Sequence, residues 1–238
     1  MLDARLGAAA ELVRQGAVFA DIGTDHALLP IFLLESGRIE RAVLADVNEG
    51  PLSRAERNVA DRGLSDKVEL VLTDGARELA GRGITDYAIC GMVGELIADI
   101  ISSAPHLETP EVKLILQPMT KQEHLRAYLY SHGYEIIAER YTEADGRYYI
   151  CMHAQYVGGV RELSAVESLL GVSPVLGGRA EYLGYLRTKL KSTCAALRGK
   201  ETGELDTSAE AMAVRALERR IIQLEEYAPA QPEPASEE

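Results

Sequence analysis

Five short runs rich in β-branched and apolar residues, at about 17–22, 41–47, 68–73, 86–90 and 113–117, alternate with amphipathic stretches at about 27–36, 51–62, 94–103 and 121–132. Parallel strands need crossovers long enough to hold a helix, so this rhythm is that of a parallel sheet covered by helices. Pro51 suits a first helical position and Gly63 follows the last turn of its stretch, which marks both ends of one crossover. The rhythm then changes. In "YEIIAERYTEADGRYYICMHAQYV", residues 134–157, two extended runs flank Asp145-Gly146, a dipeptide suited to a two-residue hairpin turn. The expectation is an α/β, Rossmann-like sheet of seven strands, mostly parallel and ending in an antiparallel hairpin.

After Val157 a Gly-Gly pair ends the sheet pattern, and residues from about 161 to 227 read as helix. Leu183, Leu186, Leu190, Thr193 and Leu197 form one seam, and Val214, Leu217, Ile221 and Leu224 another, joined by the polar "GKETGELDT" with Thr207 and Glu210 spaced as a capping box. The reading is a domain at 1–158, an antiparallel helical hairpin at 159–227, and a Pro- and Glu-rich, disordered tail at 228–238. A hairpin of this kind serves as a packing device, or forms a weak homodimer through its helices.

With 47% hydrophobic residues among 238, the chain can bury one sizeable core. No apolar run approaches the roughly 20 residues that cross a bilayer, and none reads as a signal peptide. Cys90, Cys151 and Cys194 are odd in number and widely spaced, which points to a reduced, cytoplasmic protein without a zinc site or other metal centre. The net charge of −12 disfavours nucleic acid at first sight. That total divides unevenly, into −9 for residues 1–159, +4 for 160–200 and −7 for 201–238.

The first βα turn reads "ADIGTDHALLP", residues 20–30. Dinucleotide sites place three glycines here so that a pyrophosphate can approach the helix N-terminus, but this chain keeps only Gly23 and has Asp25 and Ala27 instead. Two like unit charges 4 Å apart repel by about 4 kcal/mol at a dielectric of about 20, so NAD or FAD is disfavoured. S-adenosyl-L-methionine (SAM) carries no phosphate, and its sulfonium and ammonium are cationic. Asp21 or Asp25 then attracts, while Gly23 leaves room for close approach. Alternatively, Asp25 only caps the following helix. Asp46 ends the second strand, where a carboxylate accepts from ribose hydroxyls; Asp74-Gly75 ends the third, where one accepts from an adenine amino group. All three acids converge on the C-terminal edge of one sheet.

Five alternating units followed by a hairpin resemble class I SAM-dependent methyltransferases more than dehydrogenases. More narrowly, "ADIGTDHALLP", "ADVNEGPLSRA", "TDG", "CGMVGELI", "LILQP" and "EADGRYYI" resemble, in order and spacing over about residues 5–155, the bacterial tRNA (adenine-22-N1)-methyltransferase family. The helical segment resembles that family's C-terminal coiled coil. The resemblance implies SAM as methyl donor and N1 of an adenine in the D-arm region of tRNA as acceptor. Cofactor contacts are expected from Asp21, Gly23, Asp25, Asp46, Asn48, Asp74 and Gly75, with Gly91 and Met92 at the reacting centre; His26, directly after Asp25 at the helix start, joins them by orienting the cofactor or contacting the base, or else is a simple surface residue. Two positions depart from the family pattern: Val93 stands for the third residue of G-M-G-G, a glycine, and Met119 for an asparagine after L-Q-P.

A ring nitrogen makes modest chemical demands. Adenine N1 already owns a lone pair and becomes a cation on methylation, so in-line positioning and an acidic surround suffice. The Asp/Asn-Pro-Pro-aromatic motif common in exocyclic-amine methylases is missing; Cys90-Gly91-Met92 stands there. Arg187, Lys191 and Arg198 fall on one side of the first C-terminal helix, where they suit phosphates of a folded tRNA or form a solvated face. The competing reading is a SAM-binding or RNA-binding protein of the same fold with altered or lost catalysis.

Overall fold

The order of the sheet follows from the crossovers. In the computed structural model, which describes residues 2–226, eight strands lie in the order β3-β2-β1-β4-β5-β7-β6-β8. β1 (Ala17–Ile22) is central, with β2 (Ile39–Asp46) and β4 (Asp86–Val93) parallel on its two sides. β3 (Val68–Leu72) pairs with β2, and β5 (Lys113–Thr120) with β4. The strand order reverses between β1 and β4, which opens a crevice beyond their C-terminal ends.

β6 (Tyr134–Ala144) and β7 (Arg147–Tyr156) form the antiparallel hairpin. Its turn is Asp145 (φ 52°) and Gly146 (φ 71°), the paired positive dihedrals expected of that dipeptide. The crossover helices are α2 (Leu28–Glu35), α3 (Glu49–Asp61), α4 (Gly94–Ser102) and α5 (Gln122–Ser131), all close to their sequence-read positions.

α1 (Ala4–Leu12) precedes the sheet. Asp3 caps it, accepting from the Leu6 backbone N–H at 2.7 Å. Ala8, Ala9 and Ala10 are buried in the same core cluster as Phe19, Leu33 and Leu44. Small residues let the helix lie close to the sheet but give little amphipathic contrast, so the pattern did not announce it.

The seven-strand expectation is corrected to eight. Residues 161–178 are not helix throughout: α6 (Ala165–Leu170) is followed by the two-residue strand β8 (Val175–Leu176), parallel to β6. Two residues are too few to display alternation. A buried ion pair fastens this segment. Arg126 Nε donates to Glu139 Oε1 at 2.6 Å, and its Nη1 donates to the carbonyls of Ser168 and Leu169 at the end of α6. The first compact unit accordingly runs Met1–Gly178, past the residue-158 boundary read from the sequence.

The second unit, Arg179–Glu238, contains α7 (Arg179–Thr202) and α8 (Ser208–Glu226). Arg187 meets Glu225 at 2.7 Å and Lys200 meets Glu210 at 2.8 Å, which fixes the two helices antiparallel. Leu186, Leu217 and Ile221 are buried along the expected seams. The tail read as disordered, 228–238, lies outside the described residues. Among the described residues no helix is long and apolar enough to cross a membrane.

Candidate active site

The turn after β1 is pinned to its neighbour. Backbone N–H groups of Gly23 and Thr24 both donate to the Ala45 carbonyl on β2, at 2.8 and 3.1 Å. Gly23 adopts φ +76°, which favours glycine, and a Cβ there would lie 2.0 Å from the present position of the Met92 methyl and displace it. Two cavities border this residue. The first, about 240 Å³, is lined by Arg5, Asp21, Thr24, Asp25, His26, Cys90 and Gly91 among others. The second, about 100 Å³, is lined by Asp46, Thr73, Asp74, Gly75, Met92 and Ile100 among others. A larger cavity of about 370 Å³ shares His26 and Leu28 with the first but extends to Asn58, Asp61 and Arg62, away from the strand ends.

Asp21 is the electrostatic centre. Burial pushes its carboxyl up to about 6; the nearby Thr24 hydroxyl opposes the shift and the Asp46 carboxylate adds to it. The structure gives Asp21 no ion-pair partner among the described residues. One hydroxyl is orphaned as well: Thr73 Oγ1, beside the second cavity, is buried without a hydrogen-bond partner. Buried polar groups are normally satisfied, so an acid without an ion-pair partner and an unpaired hydroxyl around one cleft mark a place built for a polar ligand.

Asp25 behaves differently from expectation. Arg54 on α3 donates to its Oδ1 from Nε at 2.8 Å and again from Nη2, and His26 Nε2 lies 3.2 Å from Oδ2. Its charge is thus shared with a guanidinium, and the field expected of it falls mainly to Asp21. Asp25 does not cap α2 either, because the cap position is Ala27 in the left-handed region (φ 55°) with no side-chain bond. His26 is exposed at the rim, its carbonyl held by Asn58 Nδ2 at 3.0 Å.

The remaining sequence-read residues divide by place. Asp46, Asp74 and Gly75 line the second cavity, and Gly75 (φ +68°) packs against Ile100 where a Cβ would come within 3.2 Å. Asn48 lines neither cavity; it is exposed at the start of α3 and donates its backbone N–H to Asp46 Oδ1 at 2.8 Å. Gly91 (φ +80°) lines the first cavity and Met92 the second. Val93 is the cap residue of α4, and Met119 is exposed at the end of β5. Arg187, Lys191 and Arg198 are exposed on α7, with Arg187 engaged by Glu225.

Several contributors escaped the sequence reading. Gln117, fully buried on β5, accepts at Oε1 from the Gly91 backbone N–H (3.1 Å) and from Arg5 Nη1 (2.8 Å). An amide inside the apolar run "LILQP" was the available signal, since a buried polar side chain must find partners. Arg5, Arg54, Thr24 and Thr73 offered none, because each is defined by contacts across the fold. Cys90 lines the first cavity, but burial raises its thiol well above the ordinary range, which keeps it protonated and a poor nucleophile.

A doubly wound sheet closed by an antiparallel hairpin, with an acidic cleft at its switch point, is the Rossmann-like methyltransferase architecture. A family model described as a methyltransferase domain matches residues 2–152, and the chain belongs to that family. It is 36% identical over 155 residues to a tRNA (adenine(22)-N(1))-methyltransferase of Bacillus subtilis. That match spans 65% of this chain and 65% of the relative's length. Among solved structures, a Streptococcus pneumoniae protein provisionally assigned as a tRNA (m1A22) methyltransferase, crystallised with S-adenosyl-L-methionine, is 31% identical with a TM-score of 0.78, covering 93% of this chain and 100% of that one. The B. subtilis m1A22 tRNA methyltransferase TrmK is 28% identical with a TM-score of 0.72, covering 95% and 98%.

Proposed function

We propose that the chain is a SAM-dependent tRNA (adenine-N1)-methyltransferase acting at position 22, in the D-arm region. The observation that carries this reading is the pair of cavities meeting at Gly23, with an ion-pair-free Asp21 in one and Asp46 and Asp74 in the other. The donor set suits the cofactor: acids for a cationic amino-acid end and for ribose and adenine donors, glycines where a nucleoside approaches backbone, and the buried Thr73 hydroxyl awaiting a partner. When bound, SAM supplies an electrophilic methyl on a sulfonium. The B. subtilis and S. pneumoniae relatives support both cofactor and acceptor.

The chain's own residues then have limited work. Adenine N1 needs no proton removed, so Gly91 and Met92 at the end of β4 and His26 at the rim orient the base, and the acidic cleft stabilises the positive charge of the methylated product. Asp21, Gly23, Asp46, Asp74 and Gly75 hold the cofactor; Asn48 acts indirectly by fixing Asp46, and Asp25 by fixing His26. N1 lies on the Watson–Crick edge, so the nucleotide must be unpaired or extruded, at a cost of a few kcal/mol. Lys191 and Arg198, with Arg187 once released from Glu225, contact tRNA phosphates. The site of action is the cytoplasm, where the substrate is.

Incubating the protein with unmodified tRNA and methyl-labelled SAM, followed by nucleoside analysis, tests the reading. N1-methyladenosine is the expected product; N6-methyladenosine, or no labelled nucleoside, would overturn it. The double substitution Arg187→Ala with Lys191→Ala is expected to weaken tRNA binding and flatten its salt dependence by about two units of slope at most, with SAM affinity unchanged. Unchanged RNA affinity in a filter assay removes α7 from the RNA interface.

A further inference from the structure

One side of α2 (Leu28–Glu35) is apolar without a core to bury it. The run "LLPIFLL" is hydrophobic on every face, a composition expected of a helix surrounded by protein, yet α2 is a surface helix. Leu29, Ile31, Leu33 and Leu34 are buried, whereas Leu28 and Phe32, one turn apart, are 53% and 44% exposed. The chain has only two phenylalanines, and the other, Phe19, is fully buried in the core. Phe32 and Leu28 instead line the cavity of about 370 Å³, a size that takes a small organic group.

The opposite wall comes from α3 and is polar. Arg54, Asn58 and Arg62 follow one another at one-turn spacing and reach across in order, to Asp25, to the His26 carbonyl and to Glu35. Arg57, beside them, donates Nε only to the Ser53 carbonyl of its own helix and has no acidic partner among the described residues. The Asp61 carboxylate lines the cavity with neither a hydrogen bond nor an ion pair among the described residues. The cavity meets the first one at His26 and Leu28, so its occupant lies directly beside the site at the β1 turn. A complementary occupant has a flat apolar face for Phe32, N–H donors for Asp61 and an anionic group for Arg57. A nucleobase on its sugar and phosphate has all three.

Resting on the tRNA reading above, we infer that the α2–α3 groove holds a second unstacked base of the RNA, a neighbour of the methylated adenosine, with its face on Phe32 and its amino edge toward Asp61. The target adenine must leave its pair or stack to expose N1, and a neighbour held on the far side of His26 keeps the strand from closing again. Phe32 and Asp61 are binding residues and touch no reacting atom. A carboxylate only accepts hydrogen bonds, so Asp61 suits the amino edges of guanine, adenine and cytosine, and disfavours uracil, whose single ring N–H lies between two carbonyls. The base in the groove is thus read as well as held.

The test combines Phe32 variants of the full chain with unmodified tRNA in which each nucleotide within two of the methylated adenosine is made abasic in turn. Phe32→Ala is expected to raise KM for intact tRNA by at least about fivefold, the scale of one lost base stack, with kcat and SAM affinity each changed by less than about twofold. Phe32→Tyr, which keeps the ring, is expected to restore KM. Phe32→Leu, which keeps bulk without the ring, serves if Phe32→Ala does not fold. One abasic position is expected to raise KM for wild type by a similar factor and to add nothing in Phe32→Ala, because both remove the same contact. An unchanged KM in Phe32→Ala, abasic effects that all persist in it, or an equal loss of SAM affinity would overturn the inference. So would a dimer of the wild-type chain that Phe32→Ala dissociates, which would give the groove to a second copy. A wild-type protein that binds SAM but methylates no tRNA would instead remove the tRNA reading, and the inference with it.

Discussion

Asp86 and Asp21 sit on neighbouring strands of one parallel sheet and are treated in opposite ways. Asp86, at the start of β4, is fully buried and fully engaged: Arg14 donates to it from its backbone N–H at 2.9 Å and from Nε at 2.7 Å. Glu139 on β6 is handled likewise, with Arg126 on both oxygens and the Tyr141 hydroxyl donating at 2.7 Å. Asp21, near the C-terminal end of β1, has no ion-pair partner among the described residues, and burial pushes its carboxyl up to about 6. Where an acid serves the fold, the chain brings an arginine to it. At the switch point it leaves the acid uncompensated, at a cost in stability that a cationic ligand offsets.

The largest expected effect attacks the compensated side of this contrast. Arg126→Met should cost about 3–5 kcal/mol in urea unfolding, because Glu139 is left buried without its cation. A loss below about 1 kcal/mol would mean that the paired acids are not structural.

Asp21→Asn should do the reverse. Burial raises the native carboxyl from 3.8 to about 6, so the native state holds its proton more tightly than the unfolded chain does. The stability this provides is fully present below about pH 4 and is lost as pH rises through about 6. At pH 7 the asparagine variant without cofactor should therefore be more stable than wild type, by at most about 3 kcal/mol, with the difference vanishing near pH 4. Thermal melts across that window read the sign. A variant less stable than wild type at pH 7 would break the comparison.

Gly23→Ala gives the smallest effect on the fold, about 1 kcal/mol from the positive φ, because the Met92 methyl is the far end of a flexible side chain. The displaced methyl then intrudes where the two cavities meet, so SAM affinity should fall more than stability does. Equal affinity for SAM in this variant would detach Gly23 from the cleft.

Much of this architecture was legible in the sequence for a physical reason. Strands covered on both faces must be apolar runs, and crossovers must be helical, so the positions of β1 to β5 along the chain could be read directly, as could the hairpin from Asp145-Gly146. α1 hid because its buried face is alanine, and β8 because two residues carry no period. The acids of the cleft were legible through their position at strand ends. Their state was not: that Asp25 is neutralised depends on Arg54 from another helix, and that Asp21 stays unpaired depends on what no other element brings to it.

The claim that Asp21 waits for a cation is tested most directly by calorimetry of SAM binding at pH 5.5 in two buffers of different ionisation enthalpy. A carboxyl titrating near 6 is more than half protonated there, and pairing with the ammonium lowers its pKa, so binding to wild type should release roughly half a proton or more and tighten as pH rises. Asp21→Asn should bind more weakly and release none through this position. Proton release identical in the two proteins, or binding that tightens as pH falls, would contradict the account.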